Sequence, residues 1–336
     1  LPTGGSDSSN KITYTGEAGY IPTLTGDPPG NHIGVAVTVS NVVVRDIKSY
    51  GSTTSNFEFY GTASGITTHN LDGRNSTNQA FQHLNTVSVE HNNIYCTDAF
   101  DECISTHNTP TVVINGGTFD ITTVGTGSHA GINWIDTPTM SVYDVTFNVL
   151  DSTAFAVTTA GAGTFVFERC VFNEHIDNNN RGVDWSFAGT NITYKNNIFK
   201  NLTDADYYIM FRTTCASAVL ANNTFIGDGV NTTTAVFNDE PGTYINNIFI
   251  NALTQAYYGT GGTISNNIYV NSGTARGSNA ITVDPALDAN GRIQTTDSSA
   301  YDVGIGPSSN ANVPSNDIDK QTRTGTTCDI GADEYQ

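Results

Sequence analysis

The residues best equipped for chemistry crowd into one short stretch, Asp98, Asp101, Glu102, Ser105 and His107, followed downstream by His129, Asn133 and Asp136. Hydrolysis of a glycosidic bond needs an acid and a base with a water between them, and carboxylates beside an imidazole can supply both. Asp101, Glu102 and His129 are therefore the candidate catalytic groups, with His107 and Asn133 placed to bind substrate. A second set suits proton abstraction beside a carboxylate. Arg181 and Arg212 could act as base or as the cation that stabilises the developing charge, and Asp184, Asp204 and Asp206 offer hard oxygen ligands for Ca2+. Trp134, Trp185, Tyr207 and Phe211 lie on or beside the same stretches and offer faces on which sugar rings can stack.

The elements that must position these groups are repeats. Asn196-Asn197-Ile198-Phe199 returns as Asn222-Asn223-Thr224-Phe225, Asn246-Asn247-Ile248-Phe249, Asn266-Asn267-Ile268-Tyr269 and, upstream, Asn92-Asn93-Ile94-Tyr95. Looser copies end at Phe119, Phe147 and Phe172, so the closing aromatics from Tyr95 to Tyr269 step by 24, 28, 25, 27, 26, 24 and 20 residues. Short alternating runs such as Val112-Val113-Ile114 and Ile192-Thr193-Tyr194 precede each copy, and a period of two means strand. One such unit cannot bury its apolar face alone, so neighbours must stack at the strand spacing of roughly 4.8 Å.

Asn and Gly tolerate positive φ, and stacked Asn side chains can bond along the column. The common phase predicts a ladder of Asn93, Asn197, Asn223, Asn247 and Asn267, each two residues before its aromatic. Replacing Asn223 by Val is expected to destabilise, because a β-branched residue resists positive φ. A third strand per repeat runs through Ile104, Ile132, Phe155, Val183, Ile209 and Val236, which should point inward and leave their neighbours to line one outer face. About ten coils at roughly 4.8 Å would make a rod of about 50 Å.

At this level the chain resembles the right-handed parallel β-helix proteins of the pectate-lyase-like superfamily. The resemblance implies an all-β fold of three parallel sheets over residues 1–271, with a capping segment over 272–336, and it places the substrate groove on the third sheet. Asp101-Glu102-Cys103-Ile104 is similar to the Asp-Asp-Cys phrase of polygalacturonases, and Ser128-His129-Ala130 falls where their Gly-His-Gly would lie. Two parts of that pattern differ. Ser76-Thr77-Asn78 has an amide where the family has a carboxylate, and no Arg-x-Lys phrase follows. The tail, Asp317-Ile318-Asp319 through Arg323 and then Asp329-Ile330-Gly331-Ala332-Asp333-Glu334-Tyr335, resembles the closing motif of secreted or surface-anchored β-helix proteins, with Lys320 where Gly is usual. That likeness implies processing or truncation; on physical grounds the segment is expected to cover the open end of the last coil, whose unpaired strand edges would otherwise invite aggregation.

Composition narrows the function. Thirteen Lys and Arg against 32 Asp and Glu give a formal net charge of −19, which excludes nucleic acid as a partner and repels a polyanionic glycan unless cations bridge it. No apolar run could cross a membrane as a helix. A start at Leu1, few Lys, and sequons at Asn75, Asn191, Asn201, Asn222 and Asn231 fit a trimmed, secreted or cell-surface protein. Of five cysteines, Cys96 and Cys103 could close a short disulfide, and Cys170 and Cys215 read as isolated buried thiols. The resulting expectation is a structural, adhesive or carbohydrate-binding β-helix that recognises extracellular polysaccharide or self-associates end to end into filaments. The alternative is a polysaccharide-degrading hydrolase or a Ca2+-dependent lyase.

Overall fold

The computed structural model describes residues 12–15, 23–25, 35–52, 54–97, 99, 101–121, 130–135, 138–149, 155–160, 162–174, 184–186, 190–202, 207–211, 216–230, 234–238, 242–258 and 262–335. Among them the regular structure is all β and nearly all parallel. No helix among the described residues is long and apolar enough to cross a membrane. The strands wind as a right-handed parallel β-helix, the hand that twisted strands favour when each returns parallel to its predecessor. The chain divides into two compact units, Leu1–Thr164 and Phe165–Gln336.

In the first unit the strands Val42–Tyr50, Ile66–Arg74, Ser88–Thr97, Thr111–Ile121 and Thr139–Val149 stack in register. Each passes a corner without breaking, because one residue near its middle takes a left-handed conformation: Asp46, Asn70, Asn93, Gly116 or Asp144. These are the residue types that reach positive φ at low cost. The third side of each coil is a separate sheet of strands Val35–Val37, Phe57–Tyr60, Phe81–Leu84, Glu102–His107, Ala130–Ile135 and Phe155–Ala160. Phe57, Phe59, Phe81, Ile104, Ile132 and Trp134 point from it into the core.

That core also holds two histidines. His83 Nε2 lies 2.9 Å from His91 Nε2, and His91 Nδ1 lies 2.7 Å from Thr68 Oγ1, while His83 Nδ1 has no hydrogen-bond partner. Burial pushes His83 down to about 3, and burial together with His83 holds His91 well below the ordinary imidazole range.

In the second unit the corner residues Arg169, Asn196, Asn222, Asn246 and Asn266 are left-handed, and the strand stops just before each. The following residue turns inward. Asn197 Nδ2 donates to Asn223 Oδ1 at 3.0 Å, Asn223 to Asn247 at 3.0 Å and Asn247 to Asn267 at 3.1 Å. Each of these amides also donates to a backbone carbonyl, of Phe167, Tyr194, Leu220 or Tyr244, and the acceptor oxygens take the backbone N–H of the preceding Asn. A fully satisfied buried network of this kind is strong because each unmet group would cost its desolvation. Beside it runs a stack of Phe172, Phe199, Phe225, Phe249 and Tyr269, with centroid spacings from 4.5 to 5.6 Å.

Two expectations about the column change here. Asn93 is not in the ladder. It is an exposed corner residue whose amide reaches Asn70, so the upstream copy of the phrase is shifted by one residue. Cys96, not Tyr95, stands level with Phe119, and Tyr95 is 43% exposed, as a one-residue slip requires. Second, the left-handed residue is the first Asn of each pair, so Asn223 is constrained by its buried hydrogen bonds and not by positive φ. The third-strand column also differs in register: Ile132 pairs with Val157 instead of Phe155, and Ile209 with Asp184 instead of Val183.

The segment from Ser272 forms no unit of its own. Its first part extends the last coil through the bridges Ser265 to Ser278 and Ile268 to Ile281. The remainder lies along the flank instead of covering the open end. Ile293, Ala300 and Ile330 pack on Ile248 and Ile268, Ile318 and Ala332 on Ile198, and Val313 and Cys328 on Ile245. Corner amides fasten it, Asn222 to Asp329 O at 3.0 Å and Asn246 to Ile305 O at 2.8 Å. Arg323 is fully buried, donating to Glu334 at 2.9 Å, to the carbonyls of Gly331 and Asp333, and to Asn196. The closing motif is thus a set of internal bonds: Asp317 accepts from the N–H groups of Asp319, Gln321 and Glu334, and Asp329 from those of Asp302 and Tyr335. Lys320 has φ 67, the conformation for which Gly is the usual residue.

Candidate functional site

The third sheet of the first unit positions the densest polar cluster. Strand alternation sends Phe57, Phe81, Ile104 and Ile132 inward, so Glu58, Gln82, Ser105 and Asn133, each one residue later and paired in register, form a row on the opposite side of the sheet, in which Ser105 is covered and the other three are part-exposed. Two residues further along the first three strands, Tyr60, Leu84 and His107 form a second row. Tyr60 is 37% and Leu84 41% exposed, and with Glu58, Phe59 and Gln82 they line a shallow pocket of about 140 Å3.

Glu102 opens its strand and Asp101 lies in the bend before it, because adjacent residues of one regular strand point to opposite faces. Glu102 accepts from Gln79 Nε2 at 2.8 Å and from Asn133 Nδ2 at 2.7 Å. Gln79 Nε2 also lies 3.4 Å from Asp101 Oδ2, and Ser55 Oγ lies 3.4 Å from Gln79 Oε1 and 3.5 Å from Gln82 Oε1. Ser55 therefore links the Glu102 cluster to the row beside the pocket. Burial pushes Glu102 up to about 7; Asp101 adds to the rise by repulsion and a hydrogen bond, against the pull of the Gln79 and Asn133 amides. Burial also raises Glu58, opposed by the Ser55 hydroxyl. His107 is half-buried with Nε2 3.2 Å from Ser105 Oγ.

Chemically this is one proton-holding acid. Glu102 is spoken for by the Gln79 and Asn133 amides, whereas hydrolysis of a glycosidic bond uses a carboxyl pair that flanks the sugar, about 5–5.5 Å apart for retention or about 6.5–9.5 Å for inversion. Trp134, expected as a stacking platform, is 1% exposed: it lies two residues after the inward Ile132 and packs in the core. His129, Arg181, Arg212, Asp204 and Asp206 lie outside the described residues, as do Asp98 and Asp136. Asp184, Trp185 and Tyr207 are described as strand backbone only. The sequon at Asn222 is a fully buried corner whose amide is engaged by the tail, so it is closed to glycosylation in the fold.

Sequence reasoning missed Ser55, Glu58, Tyr60, Gln79, Gln82 and Leu84. The signal was present: Phe57-Glu58-Phe59-Tyr60 and Phe81-Gln82-His83-Leu84 repeat the alternation of Ile104-Ser105-Thr106-His107 one and two coils earlier. A disulfide joins Cys96 to Cys103 and ties the strand that carries the cluster to the end of the preceding corner strand.

No family model matches the sequence, and no curated protein matches it. Among solved structures the chain is similar to the crystal structure of pectate lyase Pel9A, at 13% identity and a TM-score of 0.46, over 100% of this chain and 85% of that one.

Proposed function

We propose that this chain is an extracellular β-helix that binds carbohydrate along the outer face of the third sheet in its first unit. The observation that carries the reading is the pair Glu58 and Gln82, in register on neighbouring strands and part-exposed beside the exposed Tyr60 and Leu84. Evenly spaced hydrogen-bonding side chains beside an aromatic face match a chain of sugar rings, which present hydroxyls at their edges and apolar C–H faces between them. The Cys96–Cys103 cross-link supports an oxidising compartment, and an acidic surface supports solubility there. Affinity electrophoresis against a polysaccharide panel tests the reading. Tyr60→Ala and Gln82→Ala should each weaken binding to the retained polymer by about tenfold, about 1.4 kcal/mol. Equal migration of wild type with and without every polymer would sink it.

Glu102 favours a second reading, a hydrolase that uses this carboxyl as its general acid, since a pKa pushed up to about 7 leaves a proton to give near neutrality. Release of reducing ends that Glu102→Gln abolishes, with polymer retention unchanged, would establish it. No release from any polymer would leave binding alone.

A further inference from the structure

We infer that the ligand of this face is a polysaccharide without carboxylate or sulfate groups. The inference rests on the carbohydrate-binding reading and names its ligand class. No Lys or Arg occurs between Arg74 and Arg169, so the coils that supply Gln82, Ser105, Asn133 and the Glu102 cluster carry no permanent cation at all. The first unit's other cations are Lys11, which lies outside the described residues, and Arg45, Lys48 and Arg74 on corner strands. Those three are committed to carboxylates: Arg45 to Asp46 at 2.7 Å, and both Arg74 at 2.7 Å and Lys48 at 3.7 Å to Asp72.

What the face does offer is acidic or neutral. Glu58 stands in the pocket wall, Asp101 and Glu102 lie at the other end of the Ser55–Gln79 relay, and the remaining accessible groups are the Gln82 amide, His107, Tyr60 and Leu84. A uronate or sulfate needs a fixed positive partner to offset its desolvation, and here it would meet carboxyl groups instead. Sugar hydroxyls fit without that conflict: they donate to Glu58 and to the Gln82 carbonyl, accept from amide N–H groups, and leave the ring face for Tyr60. Carboxylates that accept hydroxyl protons at the rim of an aromatic platform make a site whose selectivity comes from rejecting anions as much as from attracting neutral rings.

The test is polymer pull-down of the whole chain at pH 8 and low salt on insoluble or immobilised β-1,4-glucan, xylan, galactan, mannan, polygalacturonate and alginate, with EDTA and separately with Ca2+. At this pH imidazole adds no charge. The expected result is retention on at least one uncharged polymer, at least tenfold above polygalacturonate and alginate in either condition, and weakened about tenfold by Tyr60→Ala. Gln82→Lys, which places a cation in the row, should raise polygalacturonate retention severalfold while reducing that of the uncharged polymer. Wild-type retention on either polyuronate, with or without Ca2+, at a level matching the best uncharged polymer overturns the inference and leaves the carbohydrate reading standing. Retention on none of the six overturns the carbohydrate reading itself, and the inference with it.

Discussion

The two units solve the same corner in different ways. In the first, Asp46, Asn70, Asn93, Gly116 and Asp144 turn the chain within an unbroken strand, and the residue after each continues the alternation. In the second, the strand stops, the next Asn turns inward, and the ladder Asn197, Asn223, Asn247 and Asn267 replaces the backbone bonds that the break removes. The corners of the second unit are further roofed by the tail and its buried Arg323. The contrast teaches that one repeat phrase can be spent on buried polar bonding or on surface turns, and that the difference lies in which of two adjacent amides takes the left-handed conformation.

If that contrast is right, substitutions of similar residues should have unequal costs. Arg323→Ala removes the guanidinium that donates to two carbonyls and the Asn196 oxygen and that neutralises Glu334, whose remaining donor is the Asp329 N–H, and should lower stability most, by about 3–5 kcal/mol, read as a drop in urea midpoint. Asn223→Val removes two amide donations and the acceptor for Asn197, and should cost about 3 kcal/mol by the same measurement. Asn93→Gly, at the matching surface corner, should stay within about 0.5 kcal/mol, because Gly116 already serves that position on the next coil. Equal losses at Asn223 and Asn93 would break the comparison.

The first unit carries its strain in titratable groups, and these give a pH test. His83 and His91 are neutral in the folded core, so their contribution is complete above about 6.5 and is lost as pH falls toward 3. Glu102 runs the other way: its folded value is raised from 4.5 to about 7, so its contribution is full below 4.5 and disappears as pH rises through 7. Between 4.5 and 6.5 the unfolded chain's two histidines hold two protons against one held by the folded Glu102, and stability should climb by about 1.4 kcal/mol per pH unit from these groups. Glu102→Gln removes the opposing proton and should roughly double that slope in urea titrations between pH 5 and 6. A slope unchanged by Glu102→Gln would mean that Glu102 ionises at an ordinary carboxyl pKa. A gain instead of a loss is expected at Lys320→Gly, which relieves φ 67 and should raise stability by up to about 1 kcal/mol, seen as a small rise in Tm.

The period of the Asn-Asn-x-aromatic phrase, the alternation before it and the absence of helical periodicity were enough to establish stacked parallel coils, since each is a local pattern repeated many times. Alternation likewise predicted the inward turn of Ile104 and Ile132. What sequence could not supply was phase and reach. A shift of one residue moves Tyr95 to the surface and Cys96 into the column, and nothing in the phrase Asn92-Asn93-Ile94-Tyr95 marks which Asn turns left-handed; the register with Gly116 and Phe119 on the next coil decides it. The link from Glu102 through Gln79 and Ser55 to Gln82 joins residues some two coils apart in sequence that stacking brings within hydrogen-bond distance. The path of the tail was equally a tertiary matter. Its motif announced a pattern of turns and charges, but only the apolar flank formed by Ile198, Ile245, Ile248 and Ile268, assembled from separate coils, determined where the part beyond the last bridge packs.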